Sequence, residues 1–188
     1  RMTVQPIKDR KKIKRMIAVL ETTPRNALLF KIGLNTILRI GDILGLRVSD
    51  IFTPDGTFKD YLILHESKTG KRKSIKLNSL IRKELKKYVS TYGLIEDDYI
   101  FFSLRNPANN LDRIEAWRIL KKAADSVGIK NFGTHSMRKT LAWSIYQETR
   151  NLSLVMIMLN HKSPSTTLRY LGITQDSIDK TYEEFAIG

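Results

Sequence analysis

The sequence predicts an α+β domain, predominantly helical, with one small antiparallel β-hairpin packed on a helical core. Two observations carry this. Most of the 188 residues fall into stretches with apolar side chains at helical spacing. The exception is a pair of short β-like runs, residues 61–65 and 73–77, joined by E-S-K-T-G-K-R around Gly70. The length fits one domain with a sizeable core, and 41% hydrophobic with 28% charged residues is ordinary for a soluble globular protein.

In chain order, Met2 reads as the native start. Residues 8–20 form a basic amphipathic segment with Ile13, Ile17 and Leu20 at helical spacing. Thr23 and Pro24 open a strongly apolar helix, in which Leu28, Leu29, Ile32, Ile37 and Leu38 mark it as core. After the hairpin, Asn78 caps a helix to about Ser90, with Ile81, Leu85 and Tyr88 on one face. Residues 92–110 are irregular, broken by Gly93 and Pro107. Asp112 and Glu115 give a capping signal for a helix that Gly128 stops. Its apolar face holds Ile114, Trp117, Leu120, Ala124 and Val127, and Trp117 reads as core. Asn151 caps the apolar run 152–159, which suits a buried helix. Ser163 and Pro164 start a short helix that ends at Tyr170, before Leu171 and Gly172.

Charge narrows the function. Thirty-three basic against nineteen acidic residues give +14 and a pI near 10.0. Such a chain attracts polyanions, most often nucleic acid; a solubilising surface or a ribosome-associated protein is the blander alternative. Residues 171–188 carry four acids against one lysine, so residues 1–170 carry +17. The tail does not share the body's partner. With no cysteine, disulfides, thiolate metal sites and cysteine nucleophiles are excluded, and three histidines leave little for a metal site. No apolar run is long enough for a bilayer and no secretory leader is visible, which predicts a cytoplasmic protein.

The chemistry-bearing stretch runs from 133 to 170. It opens G-T-H-S-M-R-K-T and closes L-N-H-K-S-P-S-T-T-L-R-Y. His135 and Arg138 stand three apart, on one face of a helix. Tyr170 lies at a helix end, close in sequence to His161 and Arg169. Two histidines, arginines and a phenol suit holding and attacking a phosphate. Upstream, Arg39 interrupts an apolar run, so it reaches either solvent, beside Asp42, or an anion. The hairpin tip is dense in cations: Lys68, Lys71, Arg72 and Lys73. His65 reads as structural, and Tyr182, on an apolar face with Ile178 and Phe185, as packing.

H-x-x-R, a histidine in L-x-H and a tyrosine nine residues later resemble the tyrosine recombinase (phage integrase) family. The resemblance implies that family's catalytic-domain fold and its metal-free, cofactor-free cutting and rejoining of double-stranded DNA. It implies six catalytic positions: Arg39, Lys68, His135, Arg138, His161 and Tyr170. In this family an acid follows the first arginine by three, here Asp42, and Gly41 replaces the usual serine. Lys68 in S-K-T-G matches the hairpin lysine, with Lys71 a weaker rival. The arginines would bind phosphate through two donors each, and the histidines would donate hydrogen bonds or move protons. Lys68 would protonate the leaving 5′-oxygen, and Tyr170 would form a 3′-phosphotyrosyl link.

The chain departs from the family in one respect: it reads as a single catalytic domain over 1–188, with no room for the N-terminal core-binding domain that integrases commonly carry. It therefore reads as an isolated catalytic domain or a short single-domain member, and Met2 favours the second. The resemblance also implies a tetramer on DNA in which the 172–188 tail docks on a neighbouring protomer. Type IB topoisomerase-like relaxation and a non-cutting DNA-binding accessory role are the alternatives.

Overall fold

The computed structural model describes residues 4–185 and 187; Met2 lies outside the described residues. A helical core forms around one buried helix, with the hairpin on its flank. The first helix, α1 (Arg10–Leu20), starts where the Asp9 carboxylate accepts from Lys11 N and Lys12 N, and it buries Met16 and Leu20. The central helix is α2 (Pro24–Thr36), burying Leu28, Leu29, Phe30 and Ile32. Thr23 is its N-cap in backbone geometry only, since its side chain makes no cap bond.

Arg25 is also fully buried, donating from Nη1 to the Phe102 carbonyl at 2.8 Å and from Nε and Nη2 to Asn26 Oδ1. It ties α2 to the irregular segment after residue 93. That segment itself supplies Ile100, Phe101 and Phe102 to the core, and Tyr88 donates to the Ile100 carbonyl at 2.8 Å.

Two short helices follow, α3 (Ile40–Leu44) and α4 (Val48–Ile51). The hairpin comprises β1 (Leu62–His65) and β2 (Arg72–Ile75), antiparallel with Leu62 opposite Ile75 and Leu64 opposite Lys73. The predicted turn at Gly70 (φ +67°) holds, but the second strand starts one residue earlier and ends at Ile75. Asn78 caps α5 (Ser79–Tyr92) through Ile81 N, two residues longer than expected, to Gly93 in the left-handed region.

Asp112 caps α6 (Arg113–Ser126), which buries Ala116, Leu120, Ala123 and Ala124. Trp117 and Ile114 are not core. They are 40% and 60% exposed, because the small residues one position over let α6 pack closely on that side and turn the larger ones outward.

The C-terminal half is built on α7 (Ser136–Thr149), which crosses α2 at Gly33. A Cβ there would stand 2.3 Å from Met137 Sδ, so a glycine is what lets the helices touch. A second small cluster of Ile37, Ala142, Val155, Leu159 and Leu171 holds α8 (Leu152–Leu159) and α9 (Pro164–Tyr170) against α7. Asn151 caps α8 as expected, yet the helix is not buried throughout: Val155 and Leu159 face inward, and Ile157 is 73% exposed. The last helix, α10 (Gln175–Glu184), buries no residue. Among the described residues, no helix is long and apolar enough to cross a membrane.

Candidate active site

The site forms where the end of α2, the hairpin, and α7 to α9 converge. Ile37 ends α2 with φ +57°, a left-handed conformation that costs a β-branched residue energy. This sharp exit leaves Arg39 as the N-cap of α3 and turns the Ile37 carbonyl to Arg138. Arg138, buried in α7, donates from Nε to that carbonyl at 2.8 Å and from Nη2 to the Leu159 carbonyl at 3.1 Å. Two of its five donors thus fix the guanidinium between α2 and α8, and the others remain for an anion.

His135 is the N-cap of α7 but makes no capping bond. With Arg39, Gly41, Ser67, Lys68, Arg113 and Thr134 it lines a cleft of about 410 Å³. Lys68 lies exposed at its lip. Lys71, also exposed, does not line it, and His65 sits exposed at the end of β1, outside the cleft.

Deeper in, the His161 and Tyr170 rings meet edge to face with centroids 5.3 Å apart. His161 Nδ1 and the buried Thr167 Oγ1 are 3.0 Å apart, which orients the imidazole. Lys139 Nζ stands 5.0 Å over the Tyr170 ring and donates to the Val4 carbonyl. The Tyr170 hydroxyl is buried without a hydrogen-bond partner among the described residues.

The electrostatics follow from burial among cations. Burial pushes the Tyr170 phenol up to about 12, against the pull of Arg138 and Arg39. His135 and His161 are both lowered, first by burial and then by Arg138 and Arg39, so both imidazoles lean towards the neutral form that accepts a proton. Arg39 bears on all three groups, which ties the cleft residues to the inner group. Arg39, Lys68 and His135 thus share the cleft, and Arg138, His161 and Tyr170 lie within electrostatic reach of Arg39.

Two further residues, not read as buried from the sequence, lie against Arg39. Glu66, 2% exposed, brings Oε1 within 2.7 Å of Arg39 Nη1 and accepts from Lys73 Nζ at 3.1 Å. Lys73 is 8% exposed, not a solvated cation of the hairpin tip. Arg39 does not pair with Asp42: the Asp42 Oδ1 accepts from Ser67 N at 2.9 Å and holds the hairpin loop to α3. Burial opposes ionisation of Glu66, but hydrogen bonds from Thr69, Arg39 and Lys73 outweigh it and hold the carboxyl at about 2.

A folded value below the unfolded one, near 4.5, means the carboxylate's stabilisation is present above about pH 4.5 and lost as pH falls towards 2. The stability difference between wild type and Glu66→Gln is therefore expected to hold constant down to about pH 4.5. It should close below that in acid unfolding experiments. A difference independent of pH down to 2 would contradict the ionised assignment.

Residues 8–176 match the family model described as "Phage integrase family". The chain is 38% identical over 183 residues to the probable integrase/recombinase YoeC of Bacillus subtilis, covering 97% of each. It is 23% identical to tyrosine recombinase XerA of Pyrococcus horikoshii, over 92% of this chain but 58% of that protein, so it spans under two thirds of that longer relative. Among solved structures, a XerA recombinase superposes with a TM-score of 0.73 at 20% identity, covering 96% of this chain and 64% of that one. A lambda integrase fragment in a dimer bound to a COC' core site gives 0.70 at 21% identity, over 91% and 60%. On the family match and the near-full-length likeness to YoeC, this chain belongs to the phage integrase family, the tyrosine recombinases, which are DNA strand transferases.

Proposed function

We propose that this chain is the catalytic domain of a site-specific recombinase of a bacterial phage or mobile element, acting on double-stranded DNA in the cytoplasm. The observation that carries this reading is the unpartnered Tyr170 hydroxyl, held beside two fixed guanidiniums and an imidazole. In the proposed step the Tyr170 oxygen bonds to a DNA phosphorus and the bond to the 5′-oxygen breaks. The phenol proton passes to a neutral histidine, His161 being in ring contact, and Lys68 protonates the departing 5′-oxygen. Arg39 and Arg138 stabilise the charge that builds on the non-bridging oxygens. Attack by a second 5′-hydroxyl reverses the step, so no external energy source is needed.

The bare apolar side of α10 supports a multimer on DNA, a tetramer at synapsis, over a monomeric relaxing enzyme. The lambda integrase relative solved as a tetramer on a Holliday junction is consistent with this. A body charge of +17 makes phosphate contacts the main source of affinity, so log K is expected to fall steeply and linearly with log salt. A flat plot would refute a backbone-dominated interface.

The role of Lys68 is tested by its leaving group. Lys68→Ala is expected to slow single-turnover cleavage of a suicide substrate by on the order of 10²-fold or more. A 5′-thiol leaving group, which needs little protonation, should restore most of the rate. Equal losses on both substrates would reduce Lys68 to a phosphate contact.

A further inference from the structure

The hairpin's inner face carries a regular row that changes chemistry at one end. Leu62 and Leu64 point inward from β1, Lys73 and Ile75 from β2, and alternation continues the first row to Glu66. A leucine there would extend the apolar row at no desolvation cost, whereas a buried carboxylate beside a buried ammonium is expensive unless every partner is in place. The partners are in place, and they belong to the site.

Glu66 Oε1 meets Arg39 Nη1 and Lys73 Nζ, and Oε2 accepts from Thr69 Oγ1 at 2.7 Å. The backbone closes on the same residue. The Glu66 carbonyl accepts from Gly70 N at 2.8 Å and Thr69 N at 3.3 Å, and its N–H donates to the Lys71 carbonyl at 2.9 Å. The whole loop that bears Lys68 is thus wound around Glu66.

Arg39 adds a second observation. Its Nη1 forms the ion pair with the carboxylate at 2.7 Å, while its Nε and Nη2 donate to no protein group among the described residues. The carboxylate therefore fixes where the guanidinium sits while leaving its other N–H groups to meet an anion. Without it, Arg39, Lys73 and Arg138 would repel one another unscreened.

We propose that Glu66 is a positioning residue for strand cleavage: it sets Arg39 and the Lys68 loop in register at the phosphate site, with Lys73 as its internal counter-charge. This rests on the roles proposed above for Arg39, Lys68 and Tyr170.

The test is single-turnover cleavage of a half-site suicide duplex by the full chain, with half-site affinity and melting temperature measured on each variant. Glu66→Gln is expected to slow cleavage about 10- to 100-fold while changing half-site affinity little, as displaced catalytic groups do. The double variant Glu66→Gln/Lys73→Met removes the cation left unpaired by the first change. It should recover melting temperature without recovering rate. Thr69→Val, at an exposed loop position, removes the hydroxyl that donates to Glu66 Oε2, and it should slow cleavage of ordinary DNA and be rescued by the 5′-thiol substrate.

If the double variant cleaves at the wild-type rate, or if Glu66→Gln or Thr69→Val does, the carboxylate is only a strut and the proposal falls. If Tyr170→Phe still forms covalent product, it is the reading of the whole site that fails, a separate and recognisable result.

Discussion

Tyr170→Phe is expected to abolish the SDS-resistant protein–DNA complex completely while leaving DNA affinity and fold unchanged. The structural reason is specific to this hydroxyl. It is buried with no well-formed hydrogen bond among the described residues, Arg138 being the charged group that bears on it most, so its removal costs little and relieves a desolvated polar atom. The ring's edge contact with His161 and its place under Lys139 survive the change. A loss of stability would therefore be unexpected, and a loss of covalent product would report chemistry alone. Tyr182→Phe is the matched control. Tyr182 is 81% exposed on α10 and lies outside the cleft, so the variant should form the complex as wild type does. A dead Tyr182→Phe beside an active Tyr170→Phe would overturn the assignment.

Removing residues 173–188 is expected to leave a folded, DNA-binding protein that cannot complete strand exchange. The sequence shows a stripe of Ile173, Ile178, Tyr182 and Phe185 opposite an acidic face. In the structure only Ile173 joins the body, packing on the small cluster around Leu171. Ile178, Tyr182 and Phe185 are 44%, 81% and 74% exposed. An apolar stripe of that size does not stay wet in a working assembly. Its negative charge, set against the +17 of the body, steers it to basic protein and away from DNA. Because α10 contributes nothing to the core, truncation should shift the melting temperature little. Normal recombination by the truncated chain would sink the docking proposal, and so would its unfolding.

The parts of this molecule legible in the sequence are those written in local pattern. The helices on either side of the hairpin follow from apolar spacing and from caps such as Asn78, Asp112 and Asn151, all of which accept the expected backbone N–H groups. The six candidate site residues were proposed because each matches a short motif of the family that the sequence resembles, and Arg39, Lys68 and His135 line one cleft. What was missed depends on partners remote in sequence. Arg39 has an acid three residues away, but its partner, Glu66, arrives across the hairpin. Spacing cannot report that.

Lys73 was hidden by its neighbours. Counted with Lys68, Lys71 and Arg72 it reads as part of a solvated run, whereas the alternation that places Ile75 inside places Lys73 inside too. That signal was present, and so was the one for Glu66, two residues beyond Leu64. Trp117 failed in the opposite direction. An aromatic residue at helical spacing reads as core, but the close side of α6 is made by Ala116, Leu120, Ala123 and Ala124, leaving Trp117 beside Arg113 and Thr134 at the surface. The buried Arg25 had no sequence signal at all, since its main partner is a backbone carbonyl 77 residues away.

Whether Tyr170 carries the DNA strand is decided by peptide mapping of the covalent adduct. The chain is trapped on a suicide substrate, the DNA is digested to a short oligonucleotide, and the protein is cut with trypsin. Cleavage after Arg169 releases a peptide that begins at Tyr170 and ends at Lys180. This peptide alone is expected to carry the nucleotide mass, with fragmentation placing it on the Tyr170 oxygen. Nucleotide on Tyr146, Tyr182 or any residue other than Tyr170 would contradict it.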